Sequence, residues 1–190
     1  WPAWFGTISA LSTSFLVIPV ITFLSQKVGK KNTFLISQSI SIVGYALFWW
    51  CFQPGNPSLM FLPLPLFAFG IGSLFTMMMS MTADVCDLNE LETGTRSEGV
   101  FGAIYWWMVK FGFAIAGLLS GLILTLVGFD QNVAVQPQDT LDGLKLAYIV
   151  VPVCGTLIAM AVMFRYDLTE QKAHEIRSKL EARRLLKESK

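Results

Sequence analysis

The sequence predicts an all-α membrane protein, with five transmembrane helices followed by a C-terminal helix in the cytoplasm. Three observations carry this. Hydrophobic residues make up 54% of the 190 and charged residues only 14%, against about 25% charged in a soluble globular domain; the mean hydropathy is +0.57. Five apolar stretches approach or exceed the roughly 20 residues that cross a bilayer. Numbering the sides by alternation puts twelve of the fourteen Lys and Arg residues on one side, the asymmetry that marks a cytoplasmic face.

The first span is read at about residues 3–24, in an opening that carries no charge from Trp1 to Gln26. Without a basic n-region or a small-residue cleavage site this opening is not a signal peptide, and it reads as a chain that begins mid-protein. The second span covers about 33–52 and the third about 59–81. The turn signal Gln53-Pro54-Gly55-Asn56-Pro57-Ser58 separates them. The fourth covers about 100–127 with Lys110 as its only charge, and the fifth about 146–164 between Lys145 and Arg165. The runs are too long and too weakly alternating for barrel strands. Residues 1–166 therefore form the membrane part and 167–190 a tail. In the tail Thr169 is placed to cap a helix whose face carries Ala173, Ile176 and Leu180. Its mixed charges suit a solvated or membrane-surface helix.

The net charge of +1 and the lack of a basic stripe exclude a nucleic-acid binder. Cys51, Cys86 and Cys154 are widely spaced and belong to no metal-binding pattern, so no metal site is expected; no Ser/His pair, HExxH or GxSxG occurs and the single histidine, His174, lies in the tail, so no catalytic residue is expected. The cysteines read as small buried hydrophobes.

Lys110 is the most informative residue. It lies about ten residues into its span, roughly 15 Å deep and near the midplane, where a charge costs at least about 2.5–3.5 kcal/mol. It faces protein or a water-filled cavity and pairs with a substrate anion, a backbone group or a carboxylate on another part of the protein; a structural ion pair is the competing reading. Trp106, Trp107, Ala114, Gly117 and Gly121 lie near it on the helix surface. Trp106 and Trp107 suit stacking on the apolar face of a sugar. Gly117 and Gly121 form a GxxxG that admits a close-packed helix. Hydroxyl stripes on other helices (Ser9, Ser12, Thr13; Ser37, Ser41, Tyr45; Ser73, Thr76, Ser80) serve either packing or cavity lining.

Two segments on the basic side read as gate loops. One runs from Pro19 to Lys31 and presents Lys27, Gly29 and Lys30, cations that suit negative helix C-termini. The other, Ala83 to Gly99, packs Asp84, Asp87, Glu90, Glu92 and Glu98 around Arg96, ion pairs that can make and break as a gate moves.

The pattern Ala83-Asp84-x-x-Asp87-x-x-Glu90-x-x-Thr93-Gly94-x-Arg96-x-Glu98-Gly99 resembles the loop between the tenth and eleventh helices of the glycoside–pentoside–hexuronide:cation symporters. This is a melibiose permease-like family of the major facilitator superfamily. Lys110 matches a lysine of the following helix, Pro19 to Lys31 is similar to the superfamily's cytoplasmic loop motif, and Arg165-Tyr166-Asp167-Leu168-Thr169-Glu170 resembles the family ending, with Asp167 where proline is usual. The resemblance implies helices eight to twelve of a twelve-helix carrier in the plasma membrane (the cell inner membrane), with its C-terminus cytoplasmic. It implies a small solute, a glycoside or sugar, moved with Na⁺ or H⁺ and without any other cofactor. The remaining partners are the lipid bilayer and the N-terminal half of the same protein. The competing class is a non-transporting five-span scaffold, receptor or assembly subunit, which accounts for the hydropathy but less well for Lys110 and the acidic segment.

Overall fold

The computed structural model describes residues 6–188 except 9, 12, 53–55 and 134. It is helical throughout, with no strand among the described residues. A π-helical turn at Thr13–Val17 leads into α1, Ile18–Val28. Pro19 sits in the first turn of α1, where its missing N–H matters least. A single residue, Gly29, joins α1 to α2, Lys30–Cys51. Its φ of 82° and ψ of 161° demand glycine. A 3-10 turn at Pro57–Phe61 precedes α3, Leu64–Thr93, followed by α4, Glu98–Leu126, and α5, Gln138–Phe164. The tail forms α6, Glu170–Glu188.

Four helical stretches are long and apolar enough to cross a membrane: Lys30–Cys51, Ser58–Thr93, Glu98–Leu126 and Gln138–Phe164, with a shorter apolar helix at Phe15–Val28. The second to fifth apolar runs each fall on one of the four long stretches, and the first overlaps the shorter helix over residues 15–24. Residues 3–5, 9 and 12 of the first run lie outside the described residues.

The core gathers Val17 and Ile21, Phe34 of α2, Ala68, Met77 and Met81 of α3, and Met163 of α5. The tightest seam joins α2 to α3. A Cβ added to Gly70 would come within 2.6 Å of the Ser41 Cβ and closer still to its hydroxyl, and one on Gly44 would lie 2.8 Å from the Phe67 backbone nitrogen. Small residues let the backbones approach, as between helices in lipid. The Gln38 amide donates across the seam to the Gly70 carbonyl (3.0 Å) and the Ser73 hydroxyl (3.3 Å). The hydroxyls of Ser41 and Ser73 thus serve packing. Ser9 and Ser12 lie outside the described residues.

Two expectations are corrected. The segment Ala83–Gly99 is not a loop, because α3 continues through Thr93 and stops only at Gly94, whose left-handed φ of 76° and N–H bond to the Glu90 carbonyl (2.9 Å) end it. The segment carries no helix breaker before that glycine. Charge ended the apolar run without ending the helix. The tail helix is not simply solvated: Ala173, Ile176 and Leu180 are buried, and it packs beside the polar end of α3. By contrast, α4 buries none of its residues.

Candidate functional site

The continued helix places Asp84, Asp87 and Glu90 at i, i+3 and i+6, on one face of α3. Asp84 is only 3% exposed, and its two oxygens go to different helices. Lys30 Nζ of α2 lies 2.5 Å from Oδ2, and the Arg177 guanidinium of α6 bonds Oδ1. Arg177 also reaches Asp87 at 3.4 Å. Burial works against the charge on Arg177, yet the two aspartates more than offset it and raise its pKa. Arg96, just beyond Gly94, reaches Asp87 (3.1 Å), Glu90 (2.6 Å) and Glu98 (2.7 Å from Nε). Hydrogen bonds to Glu98 and Glu90 raise its pKa further. Arg184 meets Glu90 at 3.2 Å and Arg183 donates to the Leu91 carbonyl at 2.7 Å. That carbonyl belongs to the last turn of α3, where the helix dipole favours a cation.

The register is parallel: Arg177 lies beside Asp84 and Asp87, and Arg184 beside Glu90. The tail helix therefore runs alongside α3 and away from the apolar core, held by a charged row above an apolar stripe. Thr169 caps it, its hydroxyl accepting from the Lys172 N–H at 3.4 Å.

Of the residues singled out in the sequence, Asp84 and Lys30 meet directly, and Asp87, Arg96 and Glu98 join the same network. Gly29 is the turn that delivers Lys30. Lys27 lies 4.5 Å from the centroid of the Phe23 ring instead, and Glu92 is exposed outside the network. Glu90, in the sequence one of the segment's acids, also joins the network, and Arg177, Arg183 and Arg184 come from the tail, where the sequence pattern marks no site residue. The three-residue spacing of the acids and the nearness of Arg177 to the Ile176–Leu180 stripe were the available signals. Cys51 and Cys86 are buried and Cys154 is exposed.

Lys110 is exposed on α4 with Trp106 and Trp107. Trp107 stacks on Phe111 (centroids 5.4 Å apart, planes at 3°) and Trp106 meets Tyr105 edge-on at 5.4 Å. Lys110 has no ion pair among the described residues. A Cβ on Gly117 or Gly121 would meet nothing within 4 Å, so among the described residues no helix packs on that GxxxG. An apolar groove of about 450 Å³ runs between α4 and α5, lined by Gly112, Ala116 and Ser120 on one side and Ala147, Tyr148 and Pro152 on the other. Among the described residues no group of three His, Cys, Asp or Glu is placed to hold a metal ion.

Residues 1–170 match the MFS/sugar transport protein family. The chain belongs to this family. The resemblance to the glycoside–pentoside–hexuronide:cation symporters therefore stands, and with it an all-α, multi-pass membrane protein of a permease family, not an enzyme. The chain is 33% identical over 163 residues to the glucuronide carrier protein homolog of Escherichia coli (strain K12), covering 83% of this chain and 34% of that protein. It is 29% identical over 161 residues to the isoprimeverose transporter of Lactiplantibacillus pentosus, covering 84% of this chain and 33% of that protein. A putative glycoside/cation symporter of E. coli is 30% identical over 115 residues, 60% of this chain and 25% of the relative. The chain spans about a third of the length of the first two relatives.

Proposed function

We propose that this chain forms part of a secondary active transporter that carries a sugar or glycoside together with Na⁺ or H⁺. The family match over residues 1–170 carries the proposal. The names of the relatives, a glucuronide carrier protein homolog, an isoprimeverose transporter and a putative glycoside/cation symporter, support the solute class. Major facilitators work by alternating access, with two halves rocking about a midplane site. Cation and solute binding to one state couples them, and the coupling is reciprocal.

In this reading Lys110, the thirteenth residue of a 29-residue helix, stands at the midplane site. It faces the solute or the carboxylates of the cation site, on segments of the carrier beyond these residues. Trp106 and Trp107 offer apolar ring faces to the solute. The charged end of α3 forms the cytoplasmic gate of this half, and the C-terminus is cytoplasmic. The energetics divide that gate into two parts. The exposed Arg96–Glu98 pair is of the kind worth about 0–1 kcal/mol and exchanges partners readily. The buried Asp84 carboxylate is of the kind that costs about 3–5 kcal/mol to strand, so it holds the gate's base together while the outer pairs switch.

The test is uptake of labelled glycosides by cells or vesicles carrying the full-length protein. Accumulation should require a Na⁺ or H⁺ gradient and cease when both gradients are collapsed. Accumulation that survives their collapse would overturn the symport reading.

A further inference from the structure

Two lysines outside the proposed site make the same contact at opposite ends of one helix pair. Lys31, in the first turn of α2, donates to the Phe164 carbonyl (2.9 Å) and the Tyr166 carbonyl (2.8 Å) at the end of α5. Lys145, in the third turn of α5, donates to the Phe52 carbonyl just past the end of α2 (3.2 Å), and its ammonium lies 4.9 Å from the centroid of the Trp49 ring. The two helices are therefore antiparallel neighbours. Each reaches from its own N-terminal part to the C-terminal carbonyls of the other.

The chemistry explains the choice of residue. The last four carbonyls of a helix lack intrahelical donors, and the macrodipole gives them partial negative charge. A lysine from a neighbouring helix supplies both a proton donor and a compensating cation, and its long stem crosses the gap between helices. The Trp49 face adds a cation–π contact at one end. Between the caps the pair is joined by Phe48 and Tyr148, edge-on with centroids 5.5 Å apart. Lys145 is also the basic residue that breaks the one-sided charge pattern, and this contact gives it a reason to be there.

We propose that reciprocal lysine caps clamp α2 and α5 at both ends into one rigid pair. The inference concerns the α2–α5 frame and does not rest on the identity of the transported solute.

The test is hydrogen exchange, followed by mass spectrometry, on the full-length protein in lipid nanodiscs. Lys31→Met should raise exchange in the last turn of α5 about tenfold or more, the scale of one lost charge-assisted hydrogen bond, and leave the end of α2 unchanged. Lys145→Met should do the reverse. Lys31→Arg and Lys145→Arg, which keep a cationic donor, should stay close to the parent. A second readout is the distance between spin labels on α2 and α5, which should broaden at both ends only in the double Met variant. Unchanged exchange in both Met variants would overturn the proposal. So would equal loss across the whole chain, equal loss in the Arg variants, or an unaltered distance distribution in the double variant.

Discussion

Asp84→Asn is the sharpest perturbation of the charged network, because one buried carboxylate serves two helices. The variant keeps the shape of the side chain and removes its charge. It leaves Lys30, only 14% exposed, without its carboxylate, and takes from Arg177 its closer aspartate. Breaking a buried pair costs about 3–5 kcal/mol. Arg177 is 41% exposed and retains Asp87 at 3.4 Å, so the loss should lie at the low end, about 3 kcal/mol. Arg177→Met leaves Asp84 paired with Lys30 and removes one half-exposed cation, at about 1 kcal/mol. The difference of about 2 kcal/mol corresponds to about thirtyfold in an opening equilibrium. Hydrogen exchange resolved by segment reads this out. Arg177→Met should loosen α6 alone, Lys30→Met the start of α2 alone, and Asp84→Asn both. An Asp84→Asn variant that loosened just one of the two segments, or neither, would refute the shared-carboxylate arrangement.

Three further outcomes follow from the same geometry. Gly70→Ala should destabilise the protein by about 1–3 kcal/mol by overpacking the α2–α3 seam, where the new methyl would run into Ser41; the thermal midpoint in nanodiscs, compared with the parent's, tests it. Leu180→Ala removes a buried anchor of the tail helix, and at about 2 kcal/mol should raise exchange across α6 about thirtyfold. A cysteine replacing the exposed Leu185, in a chain free of other cysteines, should react with an impermeant maleimide from the cytoplasmic side alone; reaction from outside intact cells would reverse the proposed orientation.

The helices were legible because hydropathy is a local property. An apolar run of twenty residues needs no knowledge of its neighbours to be read as a helix, and α2 and α4 fall close to their runs. What hydropathy misses is a helix that outlasts its apolar part. The charges from Asp84 to Glu92 looked like a loop, although no glycine or proline interrupts them before Gly94. Read at helical period, Asp84, Asp87 and Glu90 already line one face. The tail stripe of Ala173, Ile176 and Leu180 was equally visible. Its partner was not, because Arg177 and Asp84 are 93 residues apart and nothing in either segment names the other. The Lys31 and Lys145 caps were hidden for a similar reason: their acceptors are backbone carbonyls, which every residue has. Lys110 announced itself by the cost of a charge at mid-span.

The most direct measurement of the central claim is gradient-driven uptake by the full-length protein with Lys110→Ala, against the parent, at matched amounts in the membrane. The variant should reach the membrane and fail to accumulate solute above equilibrium. Accumulation equal to the parent's would show that the mid-span lysine takes no part in coupled transport, and would overturn its place at the midplane site.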